Sequence, residues 1–459
     1  MMSGHSHDPA AMVILWVTLI FSFAIAGRYL AKRFNQPGVL GELLMGVVFG
    51  NVCYLLGSQL IIVLREGSAI YSILRSILAD VPLPQAIAEA IPDPAYARQM
   101  LEVLSGSGGI ECIKVGYILD IFSRYGVIFL LFMVGLESSV QELANTGKES
   151  LQVAVIGVLA PTVLGFITAA LLMPEATYKA NLFVAAALSA TSIGITARVL
   201  SEMKKLRTRE ARTILGAAMI DDILGLIILA IVSSIVISGQ VNFAAISQII
   251  ILTILFFVVV LVAGPWVLKK LTRCFQFLAL WEAKLAVSFI FVMFLSWLAT
   301  VVQLASIIGA FAAGLIIKDH YFAEQEKNHS RAPTIKELVA PLEALLAPLF
   351  FMLIGIQVKL ETFLHWQVLL IAGGLIVAAV AGKLISGVGG NRKDDKLLIG
   401  IGMLPRGEVG LVFASIGRTM GVMSDQLFSA IILMVIATTI ITPPLLKSRY
   451  QRHEQRNVQ

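Results

Sequence analysis

The chain has 459 residues, of which 58% are hydrophobic and only 14% are charged, and its formal net charge is +6. Soluble globular proteins carry about 25% charged residues, so this composition excludes an ordinary soluble domain. The basic excess is typical of cytoplasmic loops between membrane spans and does not indicate a nucleic-acid surface. Apolar stretches of about 20 residues, each long enough to cross a bilayer, recur along the chain. The sequence therefore predicts an all-α polytopic membrane protein.

Apolar runs separated by turn and charge signals predict about thirteen transmembrane helices. They lie at 11–30, 38–56, 119–138, 150–173, 179–200, 211–237, 245–270, 281–302, 304–318, 337–358, 366–388, 395–419 and 425–446. With this arrangement 25 Lys and Arg residues fall on one side of the membrane and 8 on the other, while Lys383 and Arg406 lie within spans. The positive-inside rule then predicts an external N-terminus and a cytoplasmic C-terminus.

Three parts of the chain lie outside these spans. Residues 1–10 read as an external tail, in which His5 and His7 are too isolated to indicate a metal site, and the first span lacks the basic n-region of a cleaved signal peptide. Residues 57–118 show short amphipathic patterns, which predict helices lying on the membrane or against the bundle. This segment serves either as a packing or dimer-contact insertion or as a control on external access. Residues 447–459 read as a short cytoplasmic tail, so we expect no nucleotide-binding domain. The three cysteines have no metal or disulfide spacing, and no cofactor is expected.

Asp221 and Asp222 stand side by side near the middle of the span 211–237. A carboxylate at this depth is expensive, and ionisable residues inside a membrane are functional candidates by default. Adjacent helical residues point about 100° apart, so one aspartate can face a fixed partner while the other faces a cavity. Lys383, in the span 366–388, is the candidate partner, although its side chain could instead snorkel to the interface. The alternative for the aspartates is a salt bridge that only fixes helix packing.

Two spans combine polar residues with helix-breaking signals. In 395–419, Pro405 separates an apolar run from Arg406 and Glu408, with several glycines nearby. The span 179–200 carries a group of hydroxyl side chains at Ser189, Thr191, Ser192 and Thr196. Each of these spans is the second of a three-span set, 150–237 and 366–446, and the two sets have opposite orientations. Inverted repeats with broken helices are typical of secondary transporters, with the site near the midplane.

At this point the sequence resembles the monovalent cation:proton antiporters, the second branch of the Na⁺/H⁺ exchanger superfamily, in their bacterial Na⁺/H⁺ antiporter form. The resemblance covers nearly the whole chain and depends on the order and spacing of its motifs. These are QPGVLGELLMGVVFG (36–50), FLLFMVGLE (129–137), ATSIGITARVL (190–200), the Asp221–Asp222 pair, IIGAFAAGL (307–315), PLFFMLIGI (348–356) and PRGEVGLV (405–412). The long segment 57–118 departs from the family pattern.

The resemblance implies a homodimer of thirteen-span subunits with two crossed, broken helices. The spans at 11–56 and 245–358 would form the dimerisation scaffold, 119–138 would link it to the core, and 150–237 and 366–446 would be the two core repeats. By the same resemblance Asp222 is the carboxylate that binds Na⁺ or a proton, and Asp221 is its neighbour, paired with Lys383. Thr191 and Ser192 would lie at the crossing, and Arg406 and Glu408 near the second broken helix. Two aspartates with this lysine resemble the electrogenic members.

The resulting hypothesis is exchange of Na⁺, or of Li⁺ or K⁺, for protons by alternating access. A carboxylate in a cavity of low dielectric constant can hold a cation or a proton in turn. A gated K⁺ efflux system and a non-transporting sensor on the same scaffold are the alternatives. No Ser-His-Asp spacing, zinc helix or phosphate loop indicates an enzyme. A bacterial plasma membrane is the expected location, or a thylakoid membrane if the source is photosynthetic.

Overall fold

The structure is a computed structural model and describes the chain with several gaps. It covers residues 9–34, 36, 38–67, 69–91, 94–106, 108–137, 141, 146–238, 243–302, 304, 306–322, 333–361, 366–406, 410, 413–414, 417 and 422–458. These residues are mostly α-helical, because a bilayer offers no hydrogen-bond partner to a backbone that does not satisfy its own groups. Glu408 and residues 1–8, including His5 and His7, lie outside the described residues.

The helices are numbered here in chain order. They are α1 (Pro9–Arg33), α2 (Gly38–Leu55), α3 (Gln59–Arg65), α4 (Ala69–Leu78), α5 (Leu83–Ala90), α6 (Pro94–Ser105), α7 (Gly109–Glu137), α8 (Gly147–Leu172), α9 (Tyr178–Ser189), α10 (Ile193–Glu202), α11 (Arg209–Ser238), α12 (Phe243–Cys274), α13 (Leu280–Val301), α14 (Ser306–Ile316), α15 (Ile335–Ile356), α16 (Trp366–Ser386), α17 (Lys396–Gly402) and α18 (Asp425–Val458). Short 3₁₀ turns follow α14 at Asp319–Phe322 and α16 at Gly387–Gly389.

The described residues contain ten helical segments that are long and apolar enough to cross a membrane, counting α9 and α10 as one. The other three predicted spans correspond to α11, to the short apolar helix α14, and to the segment that begins with α17. The 30 residues of α11 extend about 45 Å, which exceeds the thickness of the hydrocarbon core. Two boundaries differ most from the prediction: α7 begins at Gly109 and not at residue 119, and α18 continues to Val458, through most of the segment 447–459 predicted as a tail. Ile113 and Val115 are buried, and their apolar packing stabilises the additional N-terminal turns of α7 despite the polar residues there.

The helices pack as two bundles. We call α1, α2, α7, α13, α14 and α15 the scaffold bundle, in which α7 contacts α14 and α15, and α2 contacts α1 and α15. We call α8–α11 and α16–α18 the core bundle, in which α8 contacts α9, α11 and α16, and α16 contacts α17 and α18. Contacts of α10 with α2 and α7, and of α18 with α2, join the bundles. The core bundle is the one that contains Asp221, Asp222 and Lys383.

Glycines set the close packing inside the scaffold bundle. Gly135 on α7 faces Gly314 on α14, and Gly46 on α2 faces Gly355 on α15. A Cβ atom at any of these four positions would overlap the backbone of the facing helix. Small residues allow such backbone contact, which is how membrane helices gain packing energy where lipid removes the hydrophobic drive for association.

The segment between α2 and α7 folds as four short helices, α3–α6, that pack on the scaffold bundle. α3 contacts α2, α7 and α15, while α4 and α6 contact α7. α4, α5 and α6 each bury one apolar face, for example Ile70 and Ile73 on α4 and Met100 and Val103 on α6, whereas α3 is buried on most of its surface. This one-sided burial is the amphipathic pattern that the sequence predicts.

Two ion pairs fasten the same segment to the residues that follow α15. Arg65 lies 2.6 Å from Glu361, which also accepts a hydrogen bond from the Tyr96 hydroxyl at 3.1 Å. Lys359 lies 2.5 Å from Glu66 and 3.3 Å from the centre of the Tyr96 ring. The segment is thus held to the scaffold bundle by charge as well as by apolar packing.

Candidate functional site

Two interrupted helices meet inside the core bundle. α9 ends at Ser189 and α10 begins at Ile193, with Ala190 and Ser192 in extended conformation between them. Hydroxyl side chains compete for backbone hydrogen bonds and so weaken a helix at this point. The second interruption follows α17, which ends at Gly402. Residues 404–406 are not helical, and Pro405 cannot donate a backbone hydrogen bond.

The two interrupted segments hydrogen-bond to each other. The Ser192 backbone N–H donates to the Pro405 carbonyl at 2.7 Å, and the Thr196 hydroxyl donates to the Gly402 carbonyl at 2.7 Å. Thr191 makes a longer contact, 3.5 Å from its hydroxyl to the Met403 carbonyl. Non-helical backbone is tolerated at membrane depth only where such partners or a cavity satisfy it. The bonds therefore join α10 to the segment after α17.

Arg406 is buried completely and ties three elements together. Its guanidinium donates to the Ala190 carbonyl at 2.6 Å, and more weakly to the Ala379 carbonyl of α16 at 3.5 Å. The Thr439 hydroxyl of α18 in turn donates to the Arg406 carbonyl. Ala190 directly follows the C-terminus of α9, where the helix dipole is negative, so a cation is favourable there. Arg406 thus neutralises one of the helix ends that the interruption creates.

Asp221 and Lys383 form an ion pair beside this crossing. Lys383 Nζ on α16 lies 3.1 Å from Asp221 Oδ1 on α11, and both side chains are fully shielded from solvent. Gly382, the residue before Lys383, packs directly on Pro161 of α8, where a Cβ would lie 2.7 Å from the proline Cα, and this contact fixes the position of α16 and so of Lys383. Breaking a buried pair leaves an uncompensated charge, so each partner stabilises the other.

Asp222, the next residue, is 9% exposed, whereas Asp221 is 1% exposed. At the break between α9 and α10 the Ser192 hydroxyl is also buried, and within the described part of the chain neither it nor Asp221 Oδ2 makes a hydrogen bond. Carboxylate, hydroxyl and carbonyl oxygens are the ligands that hard cations prefer. The described residues contain no group of three or more His, Cys, Asp or Glu side chains of the kind that holds a resident metal.

Sequence reasoning missed several residues that organise this region. Thr439 lies in an apolar span, where a threonine hydroxyl is expected to bond to a carbonyl of the preceding turn of its own helix, yet it bonds to the Arg406 carbonyl. The adjacent pair Thr438–Thr439 was the one sequence feature that could have indicated this role. Arg198 reads as a loop cation, yet on α10 it is 8% exposed and its guanidinium pairs with Glu202 and with Glu343 of α15. The Arg198–Glu343 pair joins the core bundle to the scaffold bundle.

A helical membrane protein in which two interrupted helices cross beside a buried aspartate–lysine pair has the architecture of a secondary transporter. Comparison with known proteins agrees. The model of the family described as sodium/hydrogen exchanger, transmembrane, matches residues 18–448. The chain belongs to this family of monovalent cation:proton antiporters.

Individual relatives and solved structures support the assignment. The chain is 34% identical over 455 residues to the high-affinity Na⁺/H⁺ antiporter NhaS3 of Synechocystis, covering 96% of this chain and 90% of that protein. It is 33% identical over 382 residues to the Na⁺/H⁺-K⁺ antiporter GerN of Bacillus cereus, covering 81% and 94%. The structure of the sodium proton antiporter MjNhaP1 from Methanocaldococcus jannaschii at pH 8 covers 97% of this chain and 98% of that one, with a TM-score of 0.55 and 17% identity. This last similarity concerns the fold.

Proposed function

We propose that the protein is a secondary active antiporter that exchanges Na⁺ for H⁺ by alternating access. The observation that carries this proposal is the buried Asp221–Lys383 pair beside Asp222 at the crossing of two interrupted helices. The relatives whose names specify Na⁺/H⁺ antiport cover most of this chain and support Na⁺ as the cation.

In this mechanism Asp222 holds either the cation or a proton. Desolvation favours the protonated carboxyl and a nearby ammonium favours the carboxylate, so the two influences oppose each other. An empty, ionised site carries a bare charge that is unfavourable to move, which limits uncoupled cycling. Ser192, Thr191 and nearby carbonyls would supply further oxygens, and Arg406 would hold the crossing in shape. We assign Glu408 to the same region on its motif alone.

Lys383 is the residue that makes the cycle move net charge across the membrane. When the cation engages the site, Asp221 is drawn from Lys383, which then releases its proton. The cycle moves net charge, and each elementary charge crossing the membrane is worth about 2.3 kcal/mol per 100 mV. The exchange is therefore electrogenic.

K⁺ is the second candidate cation, because the relative GerN is named a Na⁺/H⁺-K⁺ antiporter. The proposal places a homodimer in a bacterial plasma membrane, or a thylakoid membrane if the source is photosynthetic. The N-terminus is external and the C-terminus cytoplasmic. In this scheme the core bundle moves against a stationary scaffold bundle.

The test is proton flux in proteoliposomes. An imposed pH gradient is followed by a fluorescent probe while Na⁺, Li⁺ or K⁺ is added in turn, with Asp222→Asn protein in parallel. We expect Na⁺ to dissipate the gradient in the wild type and no response in the variant. Dissipation by K⁺ alone would favour the second candidate. Silence with every cation, from protein with an intact melting transition, would refute antiport and favour a sensor.

A further inference from the structure

A cavity of about 450 Å³ opens at the border between the two bundles, on the side assigned to the cytoplasm. Its volume falls within the range of small-ligand sites. The scaffold bundle and the α1–α2 connection contribute one wall, and α10 with α18 contributes the other. The lining residues are Arg28, Lys32, Gln36, Gly38, Arg198, Glu202, Met203 and Lys447.

Glu202, the acidic residue of this lining, is engaged by its neighbours. Its Oε2 accepts the Gly38 backbone N–H at 2.5 Å, and its Oε1 accepts from Arg198 Nε at 3.1 Å. Gly38 permits this approach, since a Cβ there would lie 2.8 Å from the Arg28 side chain and 3.1 Å from Glu202 Oε1. The carboxylate is therefore part of the wall and is already supplied with donors.

The two arginines of the lining, Arg28 and Arg198, are likewise held in place by carboxylates of the surrounding helices. Arg28 lies 2.5 Å from Glu42, a carboxylate buried on α2, and Arg198 pairs with Glu343 on α15. With Lys32 and Lys447 added, the four cations and three carboxylates sum to one positive charge. Lys32 is exposed and Lys447 is partly exposed. Each ammonium has three N–H donors, so a contact with a neighbour leaves donors available to a ligand.

We propose that this cavity binds a phosphate-bearing anion that bridges the two bundles. Arg28 and Lys32 contact the anion from the scaffold side, and Arg198 and Lys447 contact it from the core side. Arginine and lysine donors of this kind suit a phosphate group, whether it belongs to a lipid headgroup or to a soluble phosphate compound.

Occupancy strengthens the contacts that join the two bundles on this side of the protein. The Glu202–Gly38 hydrogen bond and the Arg198–Glu343 pair both connect α10 to the scaffold bundle. A ligand that prefers the conformation with these contacts formed shifts the equilibrium toward it. Bound phosphate therefore slows the opening of the cytoplasmic side. This effect on transport rests on the proposed antiport, whereas binding itself does not.

Binding is tested on the purified full-length protein by its melting temperature, since a ligand of the folded state raises it. One arm adds inorganic pyrophosphate in neutral detergent at ionic strength matched with KCl. The other arm compares mixed micelles containing phosphatidylglycerol with micelles containing phosphatidylcholine. The site variant is Lys32→Gln/Lys447→Gln. The matched control, Lys148→Gln/Lys393→Gln, removes two exposed positive charges elsewhere on the same side.

We expect stabilisation of the wild type and of the control, and at least about a tenfold loss of apparent affinity in the site variant, equivalent to about 1.4 kcal/mol. A response to pyrophosphate assigns a soluble phosphate compound, and a response to phosphatidylglycerol alone assigns a lipid headgroup. Equal shifts in wild type and site variant, or no shift with either probe, would overturn the proposal.

The bracing effect is tested in proteoliposomes with the probe that binds. We expect slower Na⁺-dependent exchange in the wild type and in the control, and no slowing in the site variant. Binding without any change in exchange rate would refute the bracing role. If no cation drives exchange in any protein, antiport itself fails, while the melting experiment still decides the binding site.

Discussion

Lys383 and Asp221 are 162 residues apart in the chain, yet their charged atoms lie 3.1 Å apart with both side chains sealed from solvent. Removing two charges from water carries a desolvation penalty of several kcal/mol per ion, which the attraction between them only partly offsets. A pair of this kind is weak support for stability alone. Its position beside Asp222 and the crossing is the reason that we propose a role for it in transport.

Replacing Lys383 with Gln should destabilise the protein, because Asp221 then stays buried without its cation. The loss expected for breaking a buried pair is about 3–5 kcal/mol, and Asp221→Asn should recover part of it in the Lys383→Gln background. Melting temperatures of the wild type, both single variants and the double variant form the cycle. Additive effects of the two substitutions would show that the pair contributes no coupling energy.

The same double variant, Asp221→Asn/Lys383→Gln, should make exchange insensitive to voltage. In the proposed mechanism Asp222 still binds the cation or the proton, but no lysine is left to take up or release a proton during the cycle. The measurement is the exchange rate at several membrane potentials, clamped with K⁺ and valinomycin. Voltage dependence equal to that of the wild type would show that residues other than Asp221 and Lys383 make the exchange electrogenic.

Gly382→Ala should impair both folding and exchange, because its Cβ would lie 2.7 Å from the backbone of Pro161. α16 must then move away from α8 and carry Lys383 with it. Gly373→Ala on the same helix is the matched control, since nothing lies within 4 Å of a Cβ there. The control should be neutral or gain up to about 1 kcal/mol of helix propensity. Equal melting temperatures for the two variants would contradict the close packing.

Thr196→Val removes the hydroxyl that bonds to the Gly402 carbonyl while conserving shape. We expect a loss of about 1 kcal/mol, the net contribution of a typical hydrogen bond, seen as a lower melting temperature. Thr162→Val is the control, because the Thr162 hydroxyl bonds only one turn back along its own helix, to the Val158 carbonyl. A larger effect at Thr162 would argue against the crossing bond.

Glu361 gives a prediction about pH. Burial alone would raise the pKa of its carboxyl, but hydrogen bonds from Arg65, its own backbone and Tyr96 outweigh burial and lower the pKa below the ordinary 4.5. Its stabilising contribution is therefore full above pH 4.5 and is lost as the pH falls through the lowered pKa. The melting-temperature gap between wild type and Glu361→Gln should narrow in that acidic range. The exposed Glu102→Gln should show no such trend.

Much of the fold follows from the sequence because the bilayer restricts the choice. Long apolar runs can only become helices there, and charges inside them are so unfavourable that Asp221, Lys383 and Arg406 stand out as candidates. The helix interruptions were also predictable, since Pro405 and the hydroxyls around Ser192 act through local backbone chemistry.

The partners of these residues could not be predicted in the same way. Arg406 donates a hydrogen bond to the carbonyl of Ala190, 216 residues away. Because every residue has a backbone carbonyl, the sequence does not indicate which one is the partner. Arg198 occurs near the end of its span, where basic residues normally face water, so nothing local distinguishes it from a loop cation. Its pairing with Glu343, 145 residues away, depends on how α10 meets α15.

The fastening of α3–α6 to the scaffold bundle has a practical consequence. Arg65 and Lys359 hold these helices to the scaffold bundle, which the proposed cycle leaves stationary, so in that cycle they form a fixed reference point. A spin label at the exposed Ser72 of α4 would keep its distance to any label on the scaffold. Its distance to a second label on the core would then measure core displacement directly, in ångströms, as the cation concentration changes.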